Sequence, residues 1–84
     1  MDYYTYIIYS SKLDRYYIGH TDNLKERLAQ HNSGISTYTS KASDWLLKYS
    51  ESFHSREEAR KRETEIKKKK SRKYIEWIII KNDG

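Results

Sequence analysis

Aromatic and β-branched residues alternate with smaller ones from Tyr3 to Ser10, and this period of two predicts a β-strand. Ser11-Lys12-Leu13-Asp14 interrupts the run, and Arg15 to Gly19 resumes it as a second strand. With the turn centred between Lys12 and Leu13, Ile8 faces Tyr17 and Tyr6 faces Gly19. Tyr6, Ile8, Tyr17 and Gly19 then share one face of the hairpin. Gly19 has no side chain, so it leaves space in which two phenols can converge.

The period changes after Gly19. Asn23, followed three residues on by Glu26, is the reciprocal N-cap pattern, and Leu24 and Leu28 form the buried stripe of the helix it opens. Gly34 is the expected terminator, so this helix ends near Ser33. Arg27 and His31, four apart, share one edge of it, where a phosphate-sized anion would meet two nitrogen donors. Ile35 to Asp44 is rich in Ser and Thr and reads as a loop, with Tyr38 and Lys41 available for contacts. Trp45 to Phe53 is a third strand, and Ser55 with Glu58 caps a second helix running to Lys69 or Lys70. Ser71 begins a last helix ending near Ile80, with a terminal strand as the alternative because isoleucine is β-branched. Neither a repeat nor a linker divides residues 1–84. The pattern predicts one α+β domain of order β-β-α-β-α-α, a three-stranded and mostly antiparallel sheet flanked by helices.

Composition narrows the setting. A chain of 84 residues buries only roughly 60% of its unfolded surface, so its core must be well used. The absence of cysteine excludes disulfides and thiolate metal ligands and suits a reducing cytoplasm. The longest apolar run, Trp77 to Ile80, is far short of the about 20 residues that span a bilayer. Met1-Asp2-Tyr3 lacks the start of a signal peptide. The net charge is +5, and residues 1–55 carry six basic and six acidic side chains, against eleven and six in residues 56–84. The whole excess therefore lies in the last third. That localisation points to a polyanionic partner, nucleic acid before an anionic membrane, with a merely solvated helix as the plain alternative.

Glu63 stands out in the second helix, on the inward stripe that Ala59 and Ile66 mark. A carboxylate there needs a partner, because burying it alone is costly. Spacing leaves two partners open: a cation such as Arg27 or a nearby lysine, or a metal ion. Tyr6 and Tyr17 are equally open, as two of nine tyrosines packing a small sheet or as the phenols of a site.

As an ordered set, these residues resemble the GIY-YIG nuclease family, most closely its small stand-alone bacterial members. Tyr4-Thr5-Tyr6 stands where that family has Gly-Ile-Tyr, and Tyr17-Ile18-Gly19 matches the second signature in full. The family's helical arginine falls on Arg27, a frequent histidine on His31 and its metal-binding glutamate on Glu63; Tyr38-Thr39, Ala59, Arg62 and Ile66-Lys67-Lys68 complete the pattern. The first signature has lost its glycine and isoleucine, and the asparagine that larger members carry after the glutamate helix has no clear equivalent. The resemblance runs from Tyr3 to Lys70. It implies a Mg2+- or Mn2+-dependent endonuclease that cuts DNA, branched or otherwise structured, in repair or recombination, and leaves 5′-phosphate and 3′-hydroxyl ends.

In that reading Glu63 holds the metal and Tyr6 takes a proton from the attacking water, with Tyr17 hydrogen-bonded nearby. Arg27 stabilises developing charge and His31 is a secondary donor or proton shuttle. All five should converge on one exposed concave face. His20, Tyr38, Lys41 and the run Lys67, Lys68, Lys69 and Lys70 are the candidate contacts to nucleic acid, and phosphate contacts of this kind position a duplex without reading it. The protein would act as a monomer, away from membranes, with a protein partner supplying specificity. The alternative function is a catalytically inactive nucleic-acid-binding module or scaffold in a repair or translation complex.

Overall fold

A computed structural model describes residues 2–35 and 39–82. Strands β1 (Tyr3–Ser10) and β2 (Arg15–Thr21) pair antiparallel in the register that the short turn dictates, with Tyr6 opposite Gly19 and Ile8 opposite Tyr17. β3 (Leu46–Phe53) adds antiparallel to the other side of β1, so the order is β2-β1-β3. Ile7 pairs with Tyr49 while Ile8 pairs with Leu47, which leaves Lys48 as the extra residue of a β-bulge. Trp45 stays outside the strand. The Asn32 side-chain amide accepts from its N–H at 2.7 Å and donates to its carbonyl at 3.0 Å, tying the end of the first helix to the start of β3.

Helix α1 (Leu24–Asn32) starts at Asn23, whose Oδ1 accepts from the Glu26 N–H at 3.1 Å. The reciprocal half of the expected box differs. The Asn23 backbone N–H goes to Thr21 Oγ1, and Glu26 reaches the Asn23 side-chain amide instead. Gly34, at φ 83°, closes the helix in the left-handed conformation that glycine adopts without strain. Ser55 caps α2 (Arg56–Lys68) through the Glu58 N–H, and Ser71 caps α3 (Arg72–Asn82) through the Tyr74 N–H. The last segment is therefore a helix. Its Ile75, Ile78 and Ile79 recur at helical spacing and bury against Ile7, Ile18 and Ile66, and that packing outweighs the small propensity cost of β-branching.

The sheet separates two apolar layers. On the α1 side Tyr6 and Ile8 meet Ala42 and Trp45, with Leu13, Tyr17, Leu24 and Leu28 closing the layer. On the other side α2 and α3 cover Ile7 and Ile18. Thr5, where the family's first signature has isoleucine, faces this second layer and donates from Oγ1 to the Ala59 carbonyl at 2.6 Å. This α+β arrangement is the one the pattern of the chain predicts.

The space opposite Tyr6 is filled by its own ring. A Cβ added at Gly19 would lie 2.5 Å from Tyr6 Oη and 2.7 Å from Cζ. Replacing Gly19 by Ala should therefore push the ring off its site and destabilise the domain by about 1–3 kcal/mol, the usual cost of overpacking. Urea unfolding of the Gly19→Ala protein checks this; an unchanged midpoint would mean that the ring moves freely.

Candidate active site

Tyr6 is the centre of a buried polar chain. Its hydroxyl lies 2.7 Å from His31 Nε2, and His31 Nδ1 lies 2.7 Å from Thr39 Oγ1. Strand parity turns Tyr6 toward α1, and the helix phase turns His31 back toward the sheet, where it is fully enclosed. Trp45 Nε1–H donates to the Thr39 carbonyl, so the segment that carries Thr39 is itself held. The Tyr17 ring packs at 5.0 Å from the His31 ring. Arg27, one turn before His31, donates to Gln30 Oε1 at 2.8 Å and lies against the Tyr6 hydroxyl.

Burial dominates the protonation of this chain. It pushes the Tyr6 phenol up to about 12, with smaller upward contributions from Tyr17 and the Glu63 charge, while the hydrogen bond and charge of Arg27 pull the other way. Burial and the Arg27 charge together lower His31 to about 4. At neutral pH the phenol keeps its proton and the imidazole is neutral.

Glu63 does not share the phenols' face. α2 covers the opposite layer, and Glu63 comes to the phenols around the free edge of β2. Its Oε1 is 2.6 Å from His20 Nδ1 and its Oε2 is 2.6 Å from Lys67 Nζ. The Lys67 ammonium is in turn 5.8 Å from the centre of the Tyr17 ring. The Glu63 side chain is only 16% exposed. Its cationic partner is thus a neighbouring lysine rather than Arg27, joined by His20, which the sequence suggested only as a phosphate contact. The single concave face expected for the five residues is two faces meeting at a strand edge, and Tyr6 and His31 lie below the surface.

A family model described as the GIY-YIG catalytic domain matches residues 2–75. The chain belongs to the GIY-YIG family. It is 41% identical over 66 residues to a UPF0213 protein of Staphylococcus haemolyticus, an alignment covering 77% of this chain and 79% of that one. A UPF0213 protein of Streptococcus pneumoniae is 39% identical over 69 residues, covering 81% of this chain and 70% of the relative. The solution NMR structure of a UPF0213 protein from Bacillus halodurans superposes with a TM-score of 0.57 at 31% identity, covering 94% of this chain and 83% of the other.

Within this GIY-YIG domain, the structure brings Tyr6, Tyr17, Arg27 and His31 together directly and Glu63 with His20 beside them. The lysine run does not form one stripe, because Lys67 and Lys68 point in different directions on α2 and the helix ends there, with Lys70 at φ 46°. Lys67 and Lys70 border a groove beside β2, Lys68 borders the opposite flank of α2, and Lys69 lies over the Tyr74 ring at 5.5 Å. Lys41 is exposed between α1 and β3, and Tyr38 lies outside the described residues. Thr39 is the partner that orients His31, a role no periodicity announces; its place beside Tyr38 in the family pattern is the one signal for it.

The enclosed His31 makes stability depend on pH. Unfolded, the imidazole titrates near 6.5; folded, at about 4. Between those values the unfolded chain binds the proton and the folded one does not, so stability present above pH 6.5 is lost as pH falls toward 4. The expected loss is about 3 kcal/mol. Asp14 and Asp44, whose carboxyls are lowered by their hydrogen bonds, act mainly at still lower pH. Melting temperature followed from pH 7 to 4 should fall in the native protein and be nearly flat over that window in His31→Gln.

Proposed function

We propose that this chain is a metal-dependent endonuclease that hydrolyses phosphodiester bonds in DNA, working in the cytoplasm in repair or recombination. The observation that carries the reading is the Tyr6 hydroxyl, held between Arg27 and His31, with the Glu63 carboxylate on the adjoining face at the edge of β2, bonded to His20. Packing a small sheet requires no such chain of polar groups.

Glu63 is the group that would hold the ion. Among the described residues no three His, Cys, Asp or Glu side chains gather into a cage. One carboxylate fits Mg2+ or Mn2+ all the same, because Mg2+ keeps several waters and takes substrate phosphate oxygens as ligands. The ion when bound supplies positive charge to a phosphate oxygen and makes water more acidic.

The chain's own residues do the rest. His20 and Lys67 fix the orientation of the Glu63 carboxylate. Arg27 offers its guanidinium to a non-bridging oxygen as negative charge builds there. At about 12 the phenol is protonated at neutral pH, so Tyr6 accepts a proton only as it gives one up. As the attacking water's proton reaches Tyr6 Oη, the proton of Tyr6 moves to His31 Nε2 across 2.7 Å. His31 then carries both ring protons, with Nδ1–H donating to Thr39 Oγ1. Lowered to about 4, His31 is too weak a base to keep this proton and acts as a shuttle that passes it on.

A binding module without catalysis is the second reading. It draws support from Glu63 itself, whose two oxygens already have nitrogen partners. A nicking assay on duplex, single-stranded and branched DNA, with Mg2+ and with chelator, separates the two. Glu63→Gln should abolish cutting and keep DNA binding. Its melting temperature should reflect a loss of no more than about 1 kcal/mol, because its partners are partly exposed. Native protein that cuts nothing with Mg2+ or Mn2+ would leave the binding module in place of the nuclease.

A further inference from the structure

Beside the free edge of β2 runs a groove of about 600 Å³, bounded by the C-terminal end of α2 and the first turn of α3. Ile18, Ile66 and Ile75 form an apolar floor, and Tyr16 and Tyr17 contribute rings. Its rim carries four cations, Arg15, Lys67, Lys70 and Arg72, against one acid, Asp14. Asp14 is already bonded to Arg72 at 2.7 Å. Arg15 and Lys70 have no side-chain partner among the described residues. Tyr17 and Lys67 belong to both the groove and the active site, so the groove opens directly onto the chemistry.

Lys70 adds a further observation. It holds φ 46°, the left-handed conformation, where it ends α2. Glycine or asparagine would hold that position with less strain. The lysine there sets a cation on the groove rim with no side-chain partner among the described residues.

We infer that this groove binds an unpaired strand of nucleic acid next to the phosphate in the active site. The chemistry argues for a single strand over a duplex. Bases need apolar surface and phosphates need a cationic rim, and the groove has both, with Arg72 over the Tyr16 ring at 5.3 Å and Lys67 over the Tyr17 ring at 5.8 Å. A duplex turns its bases inward and would meet only the rim. The inference rests on the proposed nucleic-acid function and deepens it, since a substrate with an unpaired arm beside the cut site would then be preferred over a fully paired one.

The test places the same charge change at two positions. Arg15→Glu with Lys70→Glu reverses two groove cations; Arg60→Glu with Lys68→Glu reverses two on the far flank of α2. All four side chains are exposed, so folding should hold. Binding of labelled oligothymidylate is read in chelator, so that nothing is cut. The groove pair should weaken it about tenfold or more and the flank pair less than about twofold, beyond what their equal charge change would predict. Equal losses, or native protein that binds duplex but not oligothymidylate, would overturn the groove.

Photo-cross-linking of bromodeoxyuridine oligonucleotides to the native protein gives a measurement independent of the variants. Adducts should map to the segments around Tyr16 and Tyr17 or around Lys70 to Ile75, and adducts confined elsewhere count against the groove. Failure here is distinguishable from failure of the nuclease reading. Groove binding without any cutting removes only the enzyme, whereas cutting with no loss of binding in the groove pair removes only the groove.

Discussion

The Tyr6 ring lying over Gly19 is the contact on which the site depends. It can form only if β1 and β2 pair in one register, because a slip of one residue would turn Tyr6 to the other face. It can form only if the position opposite has no side chain. Once the ring is seated, its hydroxyl points at α1, and the hydrogen bond to His31 sets how that helix lies on the sheet. His31 then reaches Thr39, and Asn32 reaches Trp45, so Thr39 and the start of β3 are placed from the same helix. One aromatic–glycine pair thus positions the hairpin, the helix and the segment beyond it.

That chain of polar groups runs through a domain with little core to spare. Burying neutral hydroxyls and an imidazole is tolerable only when each is partnered, and no buried side-chain nitrogen or oxygen among the described residues lacks a partner. The arrangement also explains the protonation states. The low dielectric that makes the hydrogen bonds strong holds Tyr6 neutral on the acid side and His31 neutral on the base side. A proton can move along such a chain with little rearrangement, because both partners are already at hydrogen-bond distance.

The edge strand β2 is where the two halves of the molecule communicate. An exposed edge is normally a hazard for unwanted pairing. Here it is lined by Arg15, Lys67, Lys70 and Arg72, whose charge discourages a second protein strand and suits an anion. The net charge of the last third of the chain is therefore divided in use. Arg56, Arg62, Lys67 and Arg72 pair with Asp22, Glu51, Glu63 and Asp14, while Lys70 has no side-chain partner among the described residues.

Local chemistry was legible in the residues themselves. The strand alternation, the caps at Asn23, Ser55 and Ser71, the terminating Gly34 and the pairing of Tyr6 with Gly19 all follow from sequence, because each depends on neighbours a few positions away or on one short turn. That Tyr6 and Tyr17 face the helix carrying Arg27 and His31 was legible for the same reason, from strand parity and helix phase. What the chain alone left open was decided by contacts across long separations. Whether Arg72 to Asn82 is helix or strand rested on burial against Ile7 and Ile18, more than fifty residues away. The partner of Glu63 was another such choice: His20 and Lys67 reach it while Arg27 turns to Tyr6 and Gln30, an outcome fixed by how α2 lies against the edge of β2. Burial too belongs to the assembled fold. Neither the phenol at about 12 nor the imidazole at about 4 is a property of tyrosine or histidine, only of the solvent that the packed layers exclude from them.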